Sequence, residues 1–496
     1  MARPVTLAPT DRKERDVRSR QCCYIFNVLR MLREDRRFFL WMGLAGLLLR
    51  LFFFVYFSAV TDDSRVYFDL ASNWLQHGAY AQTQLGQIVP TDTRLPGYPA
   101  FLAAIFWVFG LANVRAVLIV QISVDLATCA LIADLARRMG LGRIALRVAF
   151  GLAALCPFLA IYSTAALTET LEIFFTALAL DWTAAGLERG SDGAFDWWAD
   201  KVWAGVGVAI AACILLRPDG GILLAAVVLY LVGTAAKGRF RTDARGLLTA
   251  AVVVAAFAFA PLVPWTARNF WTMHHFQPLA PRYANESDEL APRGFNRWVK
   301  TWMADYVSVE EIYWYVPGDK IDATKLPDRA LDEPTRAETL ALIADYNESA
   351  DLTRELDARF SALATERFRA HPVRSYVWLP ALRVADMWMR PRTDFLAPDI
   401  RWWEFNDDLQ WSVLAVGFGL LNLAFAGAAL LTVVFRHNNI RYCGLLVCFL
   451  LLRTSFLTTV ENPEPRYTLE CYPAVLALAA ACVGKRERVV TEQAKP

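Results

Sequence analysis

Residues 38–71 read FFLWMGLAGLLLRLFFFVYFSAVTDDSRVYFDLA. Phe38 to Val60 is long and apolar enough to cross a bilayer, which takes roughly 20 such residues for about 30 Å of hydrocarbon. Immediately after it come two adjacent carboxylates, Asp62 and Asp63. The 37 residues before it are polar and basic, with Arg30, Arg33, Arg36 and Arg37 close to the helix. No small-residue cleavage site follows at signal-peptide distance, so the run reads as a retained signal anchor. Basic flanks face the cytoplasm, so residue 61 emerges outside.

The rest of the chain fits that start. Of its 496 residues 56% are apolar and 20% are charged, so apolar spans must alternate with a sizeable polar region. Mean hydropathy is +0.30, above the usual range of soluble domains. Further spans are expected near 114–135, 148–166, 167–187, 202–216, 220–235, 246–264, 410–435, 441–459 and 467–483. Four basic loops then fall on one side. They hold Arg137, Arg138, Arg143 and Arg147; Lys237, Arg239, Arg241 and Arg245; Arg436 and Arg441; and Lys485, Arg486 and Arg488. That sidedness supports a chain of about ten transmembrane helices.

The expected organisation is a cytoplasmic basic tail 1–37, a transmembrane module 38–264 with a first outer loop 61–113, an extracytoplasmic region 265–409, closing helices 410–484 and a tail 485–496. The run 98–110 is too short to span and should lie on the outer surface or dip into it. The hairpin 202–235 has short arms broken at Arg217-Pro218-Asp219-Gly220-Gly221, as is tolerated where helices line a protein cavity. Between Pro334 and Pro372 the segment 335–370 reads as a helix, with Leu352, Leu356, Phe360 and Leu363 on one stripe.

Composition also removes several functions. A net charge of +2 gives no basic face for nucleic acid. The nine Cys form no CxxC pair and no disulfide framework. There is no GxGxxG, P-loop or HExxH. His274-His275 is poorly spaced for chelation, because adjacent helical residues point about 100° apart. The sequence asks for no cofactor, and a divalent metal stays compatible with it.

The suspicious polar residues all land on the outer face. Asp63 or Ser64 could simply cap a helix running through Ala71. The functional reading is a general base at the membrane surface. Glu169 sits between two apolar runs, where an unpartnered carboxylate is costly, so it must face water or a cation. Arg94, Arg217, Arg268 and Arg466 each read singly as a snorkelling anchor. Four on one face, beside carboxylates, fit a shared anion better, since Arg forks match phosphate oxygens.

These residues resemble a family. Asp63-Ser64 with Tyr67 and Leu70-Ala71, then His77-Gly78-Ala79-Tyr80 and Arg94-Leu95-Pro96-Gly97-Tyr98-Pro99, is similar to the first outer loop of the GT-C glycosyltransferases. The nearest in pattern are relatives of the protein O-mannosyltransferases and of the lipid A aminoarabinose transferase. Leu167-Thr168-Glu169, Arg217-Pro218, Pro264-Trp265 with Arg268-Asn269, and Arg466-Tyr467 follow in the family's order.

The resemblance implies an all-α polytopic fold and a catalytic first-loop aspartate. It implies sugar transfer from a polyprenyl-phosphate donor to a glycan, lipid or protein acceptor outside the inner (plasma) membrane. Inversion follows if attack is direct. Spacing to Tyr67 and Ala71 selects Asp63. Relatives carry Asp-Glu where this chain reads Asp62-Asp63-Ser64, which keeps Asp62 as the alternative. Arg268, Arg466, Arg94 and Arg217 would hold the donor phosphate, and Tyr67, Tyr98, Glu169 and Tyr467 would line the pocket. The rival readings are a transporter or lipid flippase, which expects charges near the bilayer midplane, and an envelope scaffold using 265–409 to bind partners.

Overall fold

The computed structural model describes residues 35–189, 197–237, 244–285, 289–406 and 409–484. Most of the basic N-terminal tail, Arg239 and Arg241, and the terminal Lys485, Arg486 and Arg488 lie outside the described residues. The chain is a helical bundle with a second helical region within residues 289–406, called the outer region after the orientation expected from the sequence. Its one sheet among the described residues is a hairpin, Ala81–Gln84 antiparallel to Gln87–Pro90.

Among the described residues six helical stretches are long and apolar enough to cross a membrane: Arg36–Tyr56, Val114–Arg138, Glu169–Arg189, Pro218–Ala236, Ala244–Met273 and Leu409–Asn439. Glu169–Arg189 is the most enclosed of them and Arg36–Tyr56 among the most open, so the first lies at the bundle centre and the second at its edge. The other expected spans take different forms. The 148–166 segment is split into Gly142–Ala154 and a six-residue helix Pro157–Tyr162, because Pro157 starts a new helix after Cys156. The last span, 467–483, is a seven-residue 3-10 turn followed by Tyr472–Ala481, both buried. The helix expected to end at 264 continues, after a break at Pro261, as Leu262–Met273.

The broken hairpin is present as Trp197–Leu216 and Gly221–Ala236. Arg217 between them is extended, with φ −149° and ψ 138°, the conformation imposed on a residue that precedes proline. The run 98–110 forms Gly97–Phe109, with Trp107, Val108 and Phe109 turned outward. Its N-terminus is jammed against the end of the Trp197–Leu216 helix: a Cβ on Gly97 would stand 2.5 Å from the Leu215 carbonyl oxygen.

In the outer region, 335–370 is two helices rather than one. Arg336–Ser349 ends on Ala350 in the left-handed conformation (φ 56°), and Thr353 caps Arg354–Ala370 by accepting from the Leu356 N–H. Leu352, Leu356, Phe360 and Leu363 do form a stripe, buried against Phe295, Trp298 and Trp302. Asp357 accepts from the Gly294 and Phe295 N–H groups at 2.9 Å each, fastening the Arg293–Val299 helix to this core.

The two ends of the bundle differ. At one, the Arg441 N–H donates to the Met139 carbonyl at 3.3 Å, Arg436 donates to the Ala481 carbonyl at 2.6 Å, and Gly484 packs on Leu141 and Ala145. The basic loops holding Arg137 to Arg147 and Arg436 to Arg441 meet there. Residues 59–63, 94, 165–169, 217 and 466 gather at the other.

Two outcomes follow. Gly97→Ala should lower stability by about 1–3 kcal/mol, the usual cost of overpacking against backbone that cannot yield; an unchanged melting curve would contradict the close approach. A reactive Cys at the exposed Ser349 should be labelled in intact cells, while the exposed Cys482 is labelled only after permeabilisation. The reverse pattern would invert the orientation.

Candidate active site

The site begins with how the first long helix leaves the bundle. Ala59 pairs with 164–166 as an isolated parallel bridge: its N–H donates to Thr164 at 3.0 Å and its carbonyl accepts from Ala166 at 3.1 Å. This sets the start of the first outer loop beside the Glu169–Arg189 helix. Thr61 then caps Asp62–His77. Its hydroxyl accepts from the Ser64 N–H at 3.3 Å, and the Ser64 hydroxyl accepts from the Thr61 N–H at 3.0 Å, closing a capping box. The cap is therefore Thr61, and Asp63 is free of that duty. Both aspartates lie in the first turn, where the helix dipole favours negative charge.

The turn separates the two. Asp62 is 97% exposed and pairs with Arg65 at 3.1 Å. Asp63 faces inward, with Oδ1 3.0 Å from Arg94 Nη2 and Oδ2 3.8 Å from Arg466 Nη1. Burial pushes the Asp63 carboxyl up, but the Arg466 and Arg94 guanidiniums outweigh it and hold the group below its ordinary value. Burial pushes the neighbouring Tyr67 phenol up to about 12, so it stays a donor at neutral pH.

A cavity of about 1070 Å³ opens over these groups. Asp63, Tyr67, Arg94, Glu169, Arg217, Arg466 and Tyr467 all line it. Glu169 is buried, 3.6 Å from Arg217 and 3.7 Å from Arg466, and its Oε2 has no hydrogen-bond donor. Arg217 lies over the Tyr467 ring at 5.1 Å, and its carboxylate contacts are long, 3.5–3.9 Å. Arg466 is held at Nε by Glu464 at 2.5 Å, leaving Nη1 loosely shared. Tyr467 donates to Glu464 Oε1 at 2.7 Å and accepts from Asn462 at 3.0 Å. The outer region supplies another wall with Phe295, Tyr313 and Trp314. Glu461 ties that wall to the last outer loop by pairing with Arg282 at 2.7 Å and Lys300 at 3.0 Å.

Two expected site residues stand elsewhere. Arg268 does not line the cavity. It donates to the Thr91 carbonyl at 2.7 Å and to the Tyr80 carbonyl, and lies 5.4 Å from the centroids of both Tyr80 and Trp265. It clamps the hairpin of the first outer loop to the Leu262–Met273 helix. Tyr98 is fully buried behind Tyr67, with ring centroids 5.0 Å apart. Its hydroxyl donates to Gln121 Oε1 at 2.7 Å, and Gln121 donates to the Ala165 carbonyl at 2.7 Å. It supports the floor of the site.

Sequence reasoning missed Glu464 and Asn462 as site residues, although both lie within four residues of Arg466. It also missed Asp219, which lines the cavity, and Glu172, Arg453 and Glu470, which do not line it but gather beside Asp219 and Arg217. Glu172, Arg453 and Glu470 are ionisable residues inside or beside apolar runs, which is by itself a signal of function.

The cavity thus offers an ionised carboxylate at its rim and two guanidiniums whose donors are incompletely used. That combination can accept a proton and hold a phosphate in one place.

Residues 92–265, which include Arg94, Glu169 and Arg217, match the family model of dolichyl-phosphate-mannose-protein mannosyltransferase. The oligosaccharyltransferase AglB of Archaeoglobus fulgidus, solved with an inhibitory peptide and a dolichol-phosphate, is similar with a TM-score of 0.52 and 13% identity over 91% of this chain and 50% of that one. ArnT of Cupriavidus metallidurans, solved with undecaprenyl phosphate, is similar with a TM-score of 0.38 and 15% identity over 90% of this chain and 77% of that one. This chain spans about half the length of the archaeal protein. No curated protein matches it. The likeness to AglB shows a shared fold, and with the family match it bears out the resemblance to the GT-C transferases.

Arg268→Ala should lower the melting temperature while leaving affinity for a polyprenyl phosphate unchanged; the opposite pattern would return Arg268 to the anion site. Asp63 should stay ionised below the ordinary aspartate range, so the acid limb of kcat/KM should lie there too. In Arg94→Gln, burial is less opposed, the carboxyl rises, and the limb should move to higher pH. A limb that does not move would remove Asp63 from the rate law.

Proposed function

We propose that the chain is a multi-pass membrane glycosyltransferase that moves a sugar from a polyprenyl-phosphate donor to an acceptor on the extracytoplasmic face, with inversion and with Asp63 as general base. One observation carries the reading. A carboxylate held ionised and two loosely paired guanidiniums share a single cavity at the end of the bundle opposite the basic loops.

The chemistry fits that arrangement. A polyprenyl donor cannot leave the bilayer, so its phosphate must be met at the interface. Arg217 and Arg466 hold the phosphate oxygens, and Arg94 orients Asp63. The acceptor O–H or N–H gives its proton to Asp63 as its heteroatom bonds to the anomeric carbon. The bond from that carbon to the phosphate oxygen breaks, and its electron pair stays on the phosphate. Negative charge grows there in the transition state, where fixed guanidiniums stabilise it without reorganising. Tyr67 and Tyr467 shape the walls, and Glu169 spaces the two arginines. The family match over 92–265 supports the donor class, and the basic loops at the far end support an inner (plasma) membrane orientation with the cavity outside.

The transporter or flippase reading lacks an observation of this kind. The buried pair Arg50–Asp125 lies midway along two helices, yet it is closed. Arg50 Nε donates to Asp125 at 2.6 Å and Nη1 to the Gly46 and Ala154 carbonyls at 2.9 and 2.7 Å. It reads as a lock between helices.

Asp63→Asn removes the proton acceptor while preserving shape, and the capping box needs neither form. It should insert and melt like wild type but transfer sugar at least about 100-fold more slowly, the usual lower bound for a general base. Asp62→Asn should be near normal, because its side chain is in solvent. Near-normal turnover in Asp63→Asn would place the base elsewhere.

A further inference from the structure

Beside Arg217 three carboxyls meet, and one of them, Asp219, also lines the cavity. One oxygen each from Glu172, Asp219 and Glu470 lie within 4.8 Å of one another. They come from three separate elements: the first turn of the Glu169–Arg189 helix, the Pro218–Gly220 link, and the 3-10 turn Pro465–Cys471. Arg453, fully buried on Cys443–Leu457, bridges two of them. Its Nη1 is 2.6 Å from Asp219 Oδ2 and its Nη2 is 2.6 Å from Glu470 Oε1. Arg217 is the second cation, at 3.5 Å from Asp219 and 3.9 Å from Glu172.

The charges do not balance. Three carboxylates face two guanidiniums, and the imbalance falls on Glu172. Its side chain is fully buried, and among the described residues neither of its carboxyl oxygens has a hydrogen-bond donor. The Cys213 thiol and Thr176 hydroxyl pair with each other at 3.7 Å. Glu169, one turn earlier, is occupied with Arg217 and Arg466. A buried carboxylate with no donor is one of the costliest arrangements a protein can hold, and it is relieved by a proton or a cation. A divalent ion fits poorly here. Arg453 already bonds two of the three carboxyls, Arg217 stands beside the third, and a charge of two would overshoot the single charge that is missing.

We propose that Glu172 is a positioning residue that carries a proton, donating it to the Glu470 carboxylate, and thereby leaves Arg217 free for the donor phosphate. An ionised Glu172 would draw Arg217 from 3.9 Å into a close pair and turn it from the cavity. The neutral acid leaves Arg217 in loose contact, over the Tyr467 ring. The role of Arg217 rests on the glycosyltransferase reading above; the protonated carboxyl itself does not.

The test is infrared difference spectroscopy on the purified full chain without substrate. Wild type should show a protonated-carboxyl C=O band that moves in deuterium oxide and is lost in Glu172→Gln. Glutamine is neutral and can donate to Glu470 through its amide, so Glu172→Gln should keep its melting temperature and its affinity for a polyprenyl phosphate. If Glu172→Gln does not accumulate, Glu470→Gln changes the acceptor and should shift the same band. Wild type without a band lost in Glu172→Gln, or a band unmoved in Glu470→Gln, would overturn the proposal. So would a rise in wild-type melting temperature with Mn²⁺ that Glu172→Gln abolishes, since a cation would then hold the place of the proton. The infrared and melting readouts need no sugar transfer, so they stand or fall separately from the catalytic reading.

Discussion

The structure depends on how charge is paired where an apolar bundle meets its outer loops. Six carboxyls, from Asp63, Glu169, Glu172, Asp219, Glu464 and Glu470, meet four guanidiniums, from Arg94, Arg217, Arg453 and Arg466. Low-dielectric surroundings make unpaired charge expensive, so these groups hold one another, with Glu172 left lacking a donor among the described residues. The pairing is uneven in a telling way. Arg453 is saturated at 2.6 Å on two sides, while Arg217 reaches no carboxylate closer than 3.5 Å. A cation that is enclosed yet loosely satisfied is suited to an anion that comes and goes.

Backbone devices hold that end together. The Ala59 bridge, the Tyr98–Gln121–Ala165 relay and the close approach of Gly97 to Leu215 each fix one segment against another, and the Thr61–Ser64 capping box fixes the start of its helix. Arg268 does the same for the hairpin. Rigid supports of this kind let a few side chains keep their geometry on loops that would otherwise move. The outer region then closes one wall with aromatic side chains and is tethered there through Glu461.

Much of this was legible in the sequence, for physical reasons. Apolar runs broken by charge mark helices and their ends, so Arg94, Glu169, Arg217, Arg466, Tyr67 and Tyr467 were recognisable as residues of one face, and they do meet in one cavity. Spacing favoured Asp63 over Asp62, and the helix turn points Asp62 into solvent. What was not legible depends on rotation and on partners distant in sequence. Arg268 lies at the same outer end as the others but finds backbone carbonyls, and Tyr98 faces Gln121. The 148–166 span and the 335–370 helix failed at Pro157 and at Ala350, where one residue's backbone overrides a hydropathy pattern. The acid cluster beside Arg217 was hidden because its members come from three elements whose contact no periodicity announces.

The account stands most directly on whether Arg217 and Arg466 hold a phosphate. Equilibrium binding of a polyprenyl phosphate to purified Arg217→Gln and Arg466→Gln measures it, with matched melting curves. A lost charge-assisted contact is worth roughly 1.5–3 kcal/mol, so each variant should bind about 10- to 100-fold more weakly than wild type while remaining folded. Affinity equal to wild type in both folded variants would contradict the account.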